Sequence, residues 1–309
     1  MSAATQPLTL SRSGPLGRLL DYAELVKLRV TSLVMMTAWC GFYLAAARSG
    51  VTSLSWTLVH AVLGIGLVAG GTAALNQVME RETDGRMRRT NRRPLPTGRM
   101  GIWHAAVFGL RGMVGGVIYL AWATNPLTAL LTLATSAAYL GVYTPLKKVS
   151  PICTFLGAFP GAMPGVLGWT AAGGALGWEA LTLFGIVFCW QFPHFFSIAW
   201  LYREDYEEAR IRMLPVVEPD GRSTVRRVLL YSLALIPVSL APTFLQMAGW
   251  LYLGGALLLG GAYFWTGVRL AMLRLPATSA QSKPRARQLL QASVFYLPLL
   301  FALMMLNAA

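Results

Sequence analysis

Residues 55–84 read SWTLVHAVLGIGLVAGGTAALNQVMERETD, and the two parts of this stretch belong to different solvents. No Asp, Glu, Lys or Arg interrupts residues 55–78, whereas Glu80, Glu82 and Asp84 follow at once. An apolar run of that length crosses about 30 Å of hydrocarbon. Lipid offers the backbone no hydrogen bonds, so a spanning run must satisfy them internally as a helix. Comparable runs recur at 29–47, 102–122, 126–143, 152–171, 179–201, 227–244, 248–269 and 289–307. The expected fold is therefore all-α, a polytopic membrane bundle of about nine transmembrane helices.

Composition supports the same class. The 309 residues are 55% hydrophobic and only 12% charged, with a mean hydropathy of +0.54. Soluble domains carry about 25% charged residues. A disordered chain, a disulfide scaffold and a water-soluble enzyme with one amphipathic anchor are excluded. Cys40, Cys153 and Cys189 lie in apolar runs without C-x-x-C spacing, which points to neither a metal knuckle nor a disulfide framework. Residues 1–28 lack the apolar core and small-residue cleavage site of a leader. They read as a cytosolic N-terminal segment ahead of a single membrane domain, 29–309.

Charge sets the orientation. With the N-terminus inside, 1–28, 79–101, 144–151, 202–226 and 270–288 face the cytosol. Of 26 Lys and Arg residues only Arg48 then lies outside and only Arg111 deep in a span, leaving 24 on the inner side. This satisfies the positive-inside rule, so the net charge of +14 reports a membrane surface and not nucleic acid. Acidic residues add little to orientation, yet eleven of the twelve, all but Glu179, fall on the same side. They cluster at Asp21 and Glu24, at Glu80, Glu82 and Asp84, and from Glu204 to Asp220. These clusters need another explanation.

Asn76, Glu80 and Asp84 are spaced i, i+4, i+8, a drift of about 40° per step on an α-helix, so they share one face. Hard oxygen donors at a helix's watery end suit Mg²⁺, which binds through one or two carboxylates, waters and substrate phosphates. The plainer alternative is a solvated helix end with Glu80 paired to an arginine. Seven arginines follow from Arg81 to Arg99. Their guanidinium forks match phosphate oxygens, making a diphosphate site; they also suit anionic headgroups. Lys147 and Lys148, at the inner end of the fourth span, serve either as anchors or as phosphate contacts. Gln191 and His194 lie in an otherwise apolar span beside Pro193. An ionisable residue there is a functional candidate, or else a neutral histidine bonded to a carbonyl freed by the proline. Pro160, Pro164 and Pro193 are expected to kink their spans or to be packing features. Gly157, Gly161, Gly165 and Gly168 permit close helix approach or leave room for a bulky ligand. His60 and His104 read as interfacial.

At these residues the chain resembles the UbiA-like intramembrane prenyltransferases, in particular their heme-farnesylating branch, over most of Tyr22–Pro215. The matching stretches are Asn76-x-x-x-Glu80-x-x-x-Asp84, Asp84-x-x-Met87-x-Arg89-Thr90-x-x-Arg93-Pro94-Leu95, Tyr143-Thr144-x-Leu146-Lys147 and Trp190-Gln191-x-Pro193-His194-Phe195. The last continues through Ile198-Ala199-Trp200 and Asp205-Tyr206 to Met213-Leu214-Pro215.

The resemblance implies a central cavity opening toward the cytosolic side of the cell inner membrane. It implies farnesyl diphosphate and heme B as substrates, with water added at the 2-vinyl group and diphosphate released to give heme O. Mg²⁺ would be held by Asn76, Glu80, Asp84 and, in a second motif, Asp205. Arg89, Arg93, Lys147, Gln191, His194 and Arg203 are the expected substrate contacts, His194 as a heme ligand or as a group orienting a base or water. A heme A synthase or a terminal-oxidase assembly would receive the product. Cys153, Arg210 and Arg212 depart from the pattern, replacing an asparagine, a glycine and a proline. Two rivals stand beside this reading. A prenyltransferase acting on a quinone-precursor ring would carry an aspartate-rich stretch where Gln191 and His194 stand; a transporter would show paired, broken helices.

Overall fold

The computed structural model describes residues 14–50 and 54–308; the rest of the N-terminal segment, residues 1–13, lies outside the described residues. A short helix α1 (Pro15–Leu25) precedes α2 (Leu28–Arg48), α3 (Trp56–Arg86), α4 (Ile102–Ala123), α5 (Pro126–Ala138) and α6 (Thr144–Leu146). A π-turn at Tyr139–Tyr143 joins α5 to α6, so the two form one span. Next come α7 (Cys153–Ala171), α8 (Trp178–Leu201), α9 (Arg203–Glu208), α10 (Leu214–Val217), α11 (Arg222–Phe244), α12 (Trp250–Met272) and α13 (Lys283–Leu306). Among the described residues eight helices are long and apolar enough to cross a membrane. The ninth expected span is also helical: α7 has 19 residues, but its glycines and prolines dilute its hydropathy.

Two groups of helices make the bundle. In the first, α3 packs against α2 and α4, α4 against α5, and α5 against α7, which returns to α2. In the second, α8 lies against α11 and α13, with α12 between those two. The α7–α8 and α2–α13 contacts join the groups.

Small residues bring α2 and α7 together. A Cβ on Gly168 would fall on the carbonyl oxygen of Ala38, and one on Gly41 on the carbonyl oxygen of Gly165. Backbone meeting backbone at such range is the packing that lipid-embedded helices use in place of a hydrophobic driving force. Of the two roles left open for the α7 glycines, Gly168 therefore serves close approach, whereas a Cβ on Gly165 would make only ordinary contacts with Leu183 (3.5 Å) and Thr37 (3.8 Å). The helices continue through Pro160, Pro164 and Pro193.

Arg48 and Glu179, the two charged residues assigned to the outer face, pair at 3.1 Å, while Arg48 also donates to the carbonyl of Leu245. They thus lie at one end of the bundle. At the other end α3 runs past the expected edge at Val78 to Arg86.

Arg210 adopts φ 56°, in the left-handed region, at the position where the resemblance leads one to expect glycine. That conformation strains an L-residue by about 1–2 kcal/mol, more than the chain entropy of about 0.5–1 kcal/mol that glycine adds to the unfolded state. Arg210→Gly is therefore expected to stabilise the protein by about 0.5–1 kcal/mol, read as a raised thermal midpoint in detergent. An unchanged or lower midpoint would show that the arginine makes up for its own strain.

Candidate active site

The shared face of α3 is not a solvated helix end. Asn76, Glu80 and Asp84 are 0%, 8% and 1% exposed, and each meets a cation or loop from a different part of the chain. Lys27 Nζ donates to Asn76 Oδ1 (2.7 Å). Lys147 Nζ donates to both Glu80 oxygens (2.8 and 3.1 Å). Arg93 Nη1 donates to Asp84 Oδ2 (2.7 Å). Three rungs of one helical ladder therefore carry three cations.

Local sequence explains how each cation arrives. Helix α1 ends at Leu25, where Gln77 Nε2 caps the carbonyls of Glu24 and Leu25 at 2.8 Å each. The chain then turns through Lys27 in the left-handed conformation (φ 49°, ψ 53°) before α2 begins. A non-glycine residue there is strained and persists only where its surroundings dictate it; the Asn76 contact is part of those surroundings. Thr144 accepts from Asn76 Nδ2 (3.1 Å) and donates to the carbonyl of Tyr139 in the π-turn (2.9 Å), which fixes the amide with its oxygen toward Lys27. Lys147 also lies 4.4 Å from the centre of the Tyr143 ring, a cation–π contact. Burial opposes the Lys147 charge, but Tyr143 and Glu80 more than offset it and hold its pKa well above the ordinary lysine value. For Lys27, burial lowers the pKa, and the like charges of Lys147 and Arg93 act in the same direction.

The second acidic residue reaches the same place through the loop after α3. Asp205, in the first turn of α9, accepts from the backbone N–H of Arg89 (3.3 Å) and lies 3.7 Å from Arg88 Nε. One residue on, Thr90 donates to the carbonyl of Asp84 (2.8 Å). The Arg89 guanidinium donates to Tyr206 and lies over the Tyr202 and Tyr206 rings. Met87 packs among Ala199, Tyr206, Ala209 and Ile211. Asp84 and Asp205 are thus tied to one short loop.

Not every expected contact is brought here. The Arg203 guanidinium reaches the carbonyl of Pro215 and pairs with Glu207. Gln191 donates to the carbonyl of Ala158 (2.8 Å), clamping α8 to α7. His194 meets Ser293 of α13. His60 and His104 bond Tyr119 and Tyr22. Lys27 was missed because it sits in the segment read as a cytosolic leader to the first span. Its only sequence signal was a cation directly at a span's inner end, which topology alone explains.

The donor set fits a hydrated Mg²⁺ shared with phosphate better than a bare ion. Among the described residues no group of three His, Cys, Asp or Glu converges as a ready-made metal cluster. The oxygens of Asn76, Glu80, Asp84 and Asp205 are hard donors, and substrate phosphates and water supply the remaining ligands in such sites.

The UbiA prenyltransferase family model matches residues 33–305. The chain belongs to the UbiA prenyltransferase family. Within this family it is 59% identical over 307 residues to a protoheme IX farnesyltransferase of Koribacter versatilis, covering 99% of both chains. It is 48% identical over 293 residues to a protoheme IX farnesyltransferase of Solibacter usitatus, covering 93% of this chain and 98% of that one. Among solved structures, a digeranylgeranylglyceryl phosphate synthase superposes with a TM-score of 0.73 at 16% identity, over 94% of this chain and 98% of the other. A UbiA homolog from Archaeoglobus fulgidus, bound to GPP and Mg²⁺, gives a TM-score of 0.57 at 18% identity, over 92% and 99%. At those identities the structures establish the UbiA fold, and with the apolar helices they make this a multi-pass membrane protein.

Proposed function

We propose that the chain transfers a farnesyl group from farnesyl diphosphate to the 2-vinyl group of heme B, giving heme O. The observation that carries the reading is the ladder of Asn76, Glu80 and Asp84, each rung buried beside its own cation and joined to Asp205 through one loop. The full-length likeness to protoheme IX farnesyltransferases supports heme as the acceptor. No observation favours a quinone-precursor ring or transport.

Mg²⁺ held by Asn76, Glu80, Asp84 and Asp205 would supply Lewis-acid neutralisation of the leaving diphosphate. The chain's own cations do the rest. Lys27, Lys147, Arg93 and Arg89 exchange their present partners for phosphate oxygens, and charge develops on the leaving group in a site already furnished with donors. The carbon–oxygen bond of farnesyl diphosphate breaks and leaves an allylic cation. The terminal vinyl carbon of heme attacks it, and water adds to the resulting cation beside the ring and loses a proton.

The first cation needs a dry setting that delays water, which the apolar interior of the bundle supplies. His194 contacts the heme. The site faces the cytosol from the cell inner membrane, with the N-terminus inside, and heme O passes to a heme A synthase or an oxidase assembly.

Membranes containing the protein, given heme B, farnesyl diphosphate and Mg²⁺, are expected to yield a heme heavier by one farnesyl group and one hydroxyl group. No heme product, with a quinone-precursor ring prenylated instead, would overturn the assignment. Lys27 provides a second measurement. Losing one charge-assisted hydrogen bond is worth about 1.5–3 kcal/mol, so Lys27→Met is expected to raise the KM for farnesyl diphosphate by tenfold or more. Its KM for heme should stay unchanged. Equal KM values for farnesyl diphosphate in variant and parent would remove Lys27 from the site.

A further inference from the structure

Outside the diphosphate ladder a second polar cluster links α8 to α13 within the apolar part of the bundle. Trp190 and His194 are one turn apart on α8, their rings stacked with centroids 4.9 Å apart and planes 22° from parallel. Both reach the same residue. Trp190 Nε1 donates to the backbone carbonyl of Ser293 (2.8 Å), and His194 Nδ1 lies 2.7 Å from the Ser293 hydroxyl. That hydroxyl is also 2.6 Å from the carbonyl oxygen of Leu290, to which it donates.

These two short contacts decide where the histidine proton sits. A serine hydroxyl has one proton and a carbonyl oxygen can only accept. If Ser293 gave its proton to His194, its oxygen would face the Leu290 carbonyl at 2.6 Å as two acceptors. Both contacts are hydrogen bonds only when Ser293 donates to Leu290 and Nδ1–H of His194 donates to Ser293. A doubly protonated ring would place a charge in the span, which is expensive, and His194 has no ion-pair partner among the described residues. The neutral Nδ1–H tautomer follows, leaving a lone pair on Nε2. Among the described residues Nε2 has no hydrogen-bond partner, and it is not one of the fully buried polar atoms left without one. Its lone pair is therefore accessible within an apolar span. Metal-binding histidines share this arrangement, in which the second ring nitrogen donates to a fixed acceptor that sets tautomer and ring orientation.

We infer that Ser293 is a positioning residue that holds His194 as the Nδ1–H tautomer, so that Nε2 ligates the iron of the heme substrate. The inference rests on the proposed heme reaction. Trp190 backs the ring on one side and ties α8 to α13, and ligation through Nε2 would anchor the porphyrin by its iron. The same stretch would then select the acceptor, while the ladder at the end of α3 handles the donor.

The test uses the full-length protein in detergent, titrated with ferric heme B and followed by its absorption and resonance Raman spectra. The parent is expected to show a histidine-ligated heme, and His194→Ala to lose that signature. Ser293→Ala keeps the ligand but removes the acceptor for Nδ1–H. It should weaken heme binding by about tenfold or more, the usual effect of losing such a supporting partner, and shift the iron–histidine vibration. Ser293→Thr, which keeps the hydroxyl, should restore both. Trp190→Phe breaks the α8–α13 tie without touching the tautomer and should leave the vibration in place, separating positioning from general loosening. Parent-like affinity and vibration in Ser293→Ala would overturn the role of Ser293. A parent that binds heme without a histidine signature would overturn the ligand alone, and a parent that binds farnesyl diphosphate but no heme would overturn the proposed function together with it.

Discussion

Asp84→Asn and Asp205→Asn are each expected to reduce turnover by about 10²-fold or more, with the amount of protein in the membrane unchanged. Asparagine keeps the size of aspartate and an oxygen, so helix packing should survive. It removes the negative charge that both a divalent cation and Arg93 or Arg88 require. Asp84 is the more severe case, because its side chain is 2% exposed and its partner Arg93 only 21%. Breaking a buried pair from one side leaves the other charge uncompensated, so Asp84→Asn should also lower the thermal midpoint. Asp205 is held by a backbone N–H and by Arg88, whose side chain is largely exposed, so Asp205→Asn should lose activity with little loss of stability. Glu207→Gln is the control: among the described residues Glu207 pairs with Arg203 and with none of the ladder's cations, and that variant should turn over at the parent rate. The measurement is heme product per unit of immunodetected protein across a Mg²⁺ titration. Turnover within a few-fold of the parent in both aspartate variants would refute the assigned metal and diphosphate role.

Gly168→Val is expected to have the largest effect on folding. The added carbons would meet the Ala38 carbonyl on α2, and the facing Gly41 leaves no slack because it already lies against the Gly165 carbonyl. Rotamer changes in a neighbouring side chain cannot relieve a clash with backbone. The helices must separate, and with them the α2–α7 seam that seats Cys40, Leu44 and Ala45 against Ala158, Ala162 and Val166. Overpacking costs about 1–3 kcal/mol and sometimes more, and this site belongs at the upper end. Gly261→Ala on α12, whose new Cβ would meet nothing within 4 Å, should leave the thermal midpoint nearly unaltered. Equal midpoints and folded yields for Gly168→Val and Gly261→Ala would show that the seam is looser than its geometry.

Much of this protein is legible in local patterns. The apolar runs at 29–47 through 289–307 correspond closely to α2–α13, because a lipid-spanning helix must be built from consecutive residues. Charged residues after Val78 mark where lipid ends, and α3 continues through them to Arg86 as the i, i+4, i+8 spacing requires; what the spacing does not show is that protein, and not water, surrounds that acidic face. Arg203 and Gln191 were candidates by motif, and both are engaged in packing contacts; residue type does not reveal which way a side chain turns.

Length, hydropathy, charge asymmetry and the i, i+4, i+8 spacing by themselves determine a membrane helix bundle with three oxygen donors on one helix face, since each is a property of neighbouring residues. Only the tertiary structure decides which cation meets which donor. Lys27 and Asn76 are 49 residues apart, Lys147 and Glu80 67, and Arg89 and Asp205 116. Separations of that kind are closed by helix packing and by the turns at Lys27, at Tyr139–Tyr143 and after α3, and those geometries carry no fixed spacing along the chain.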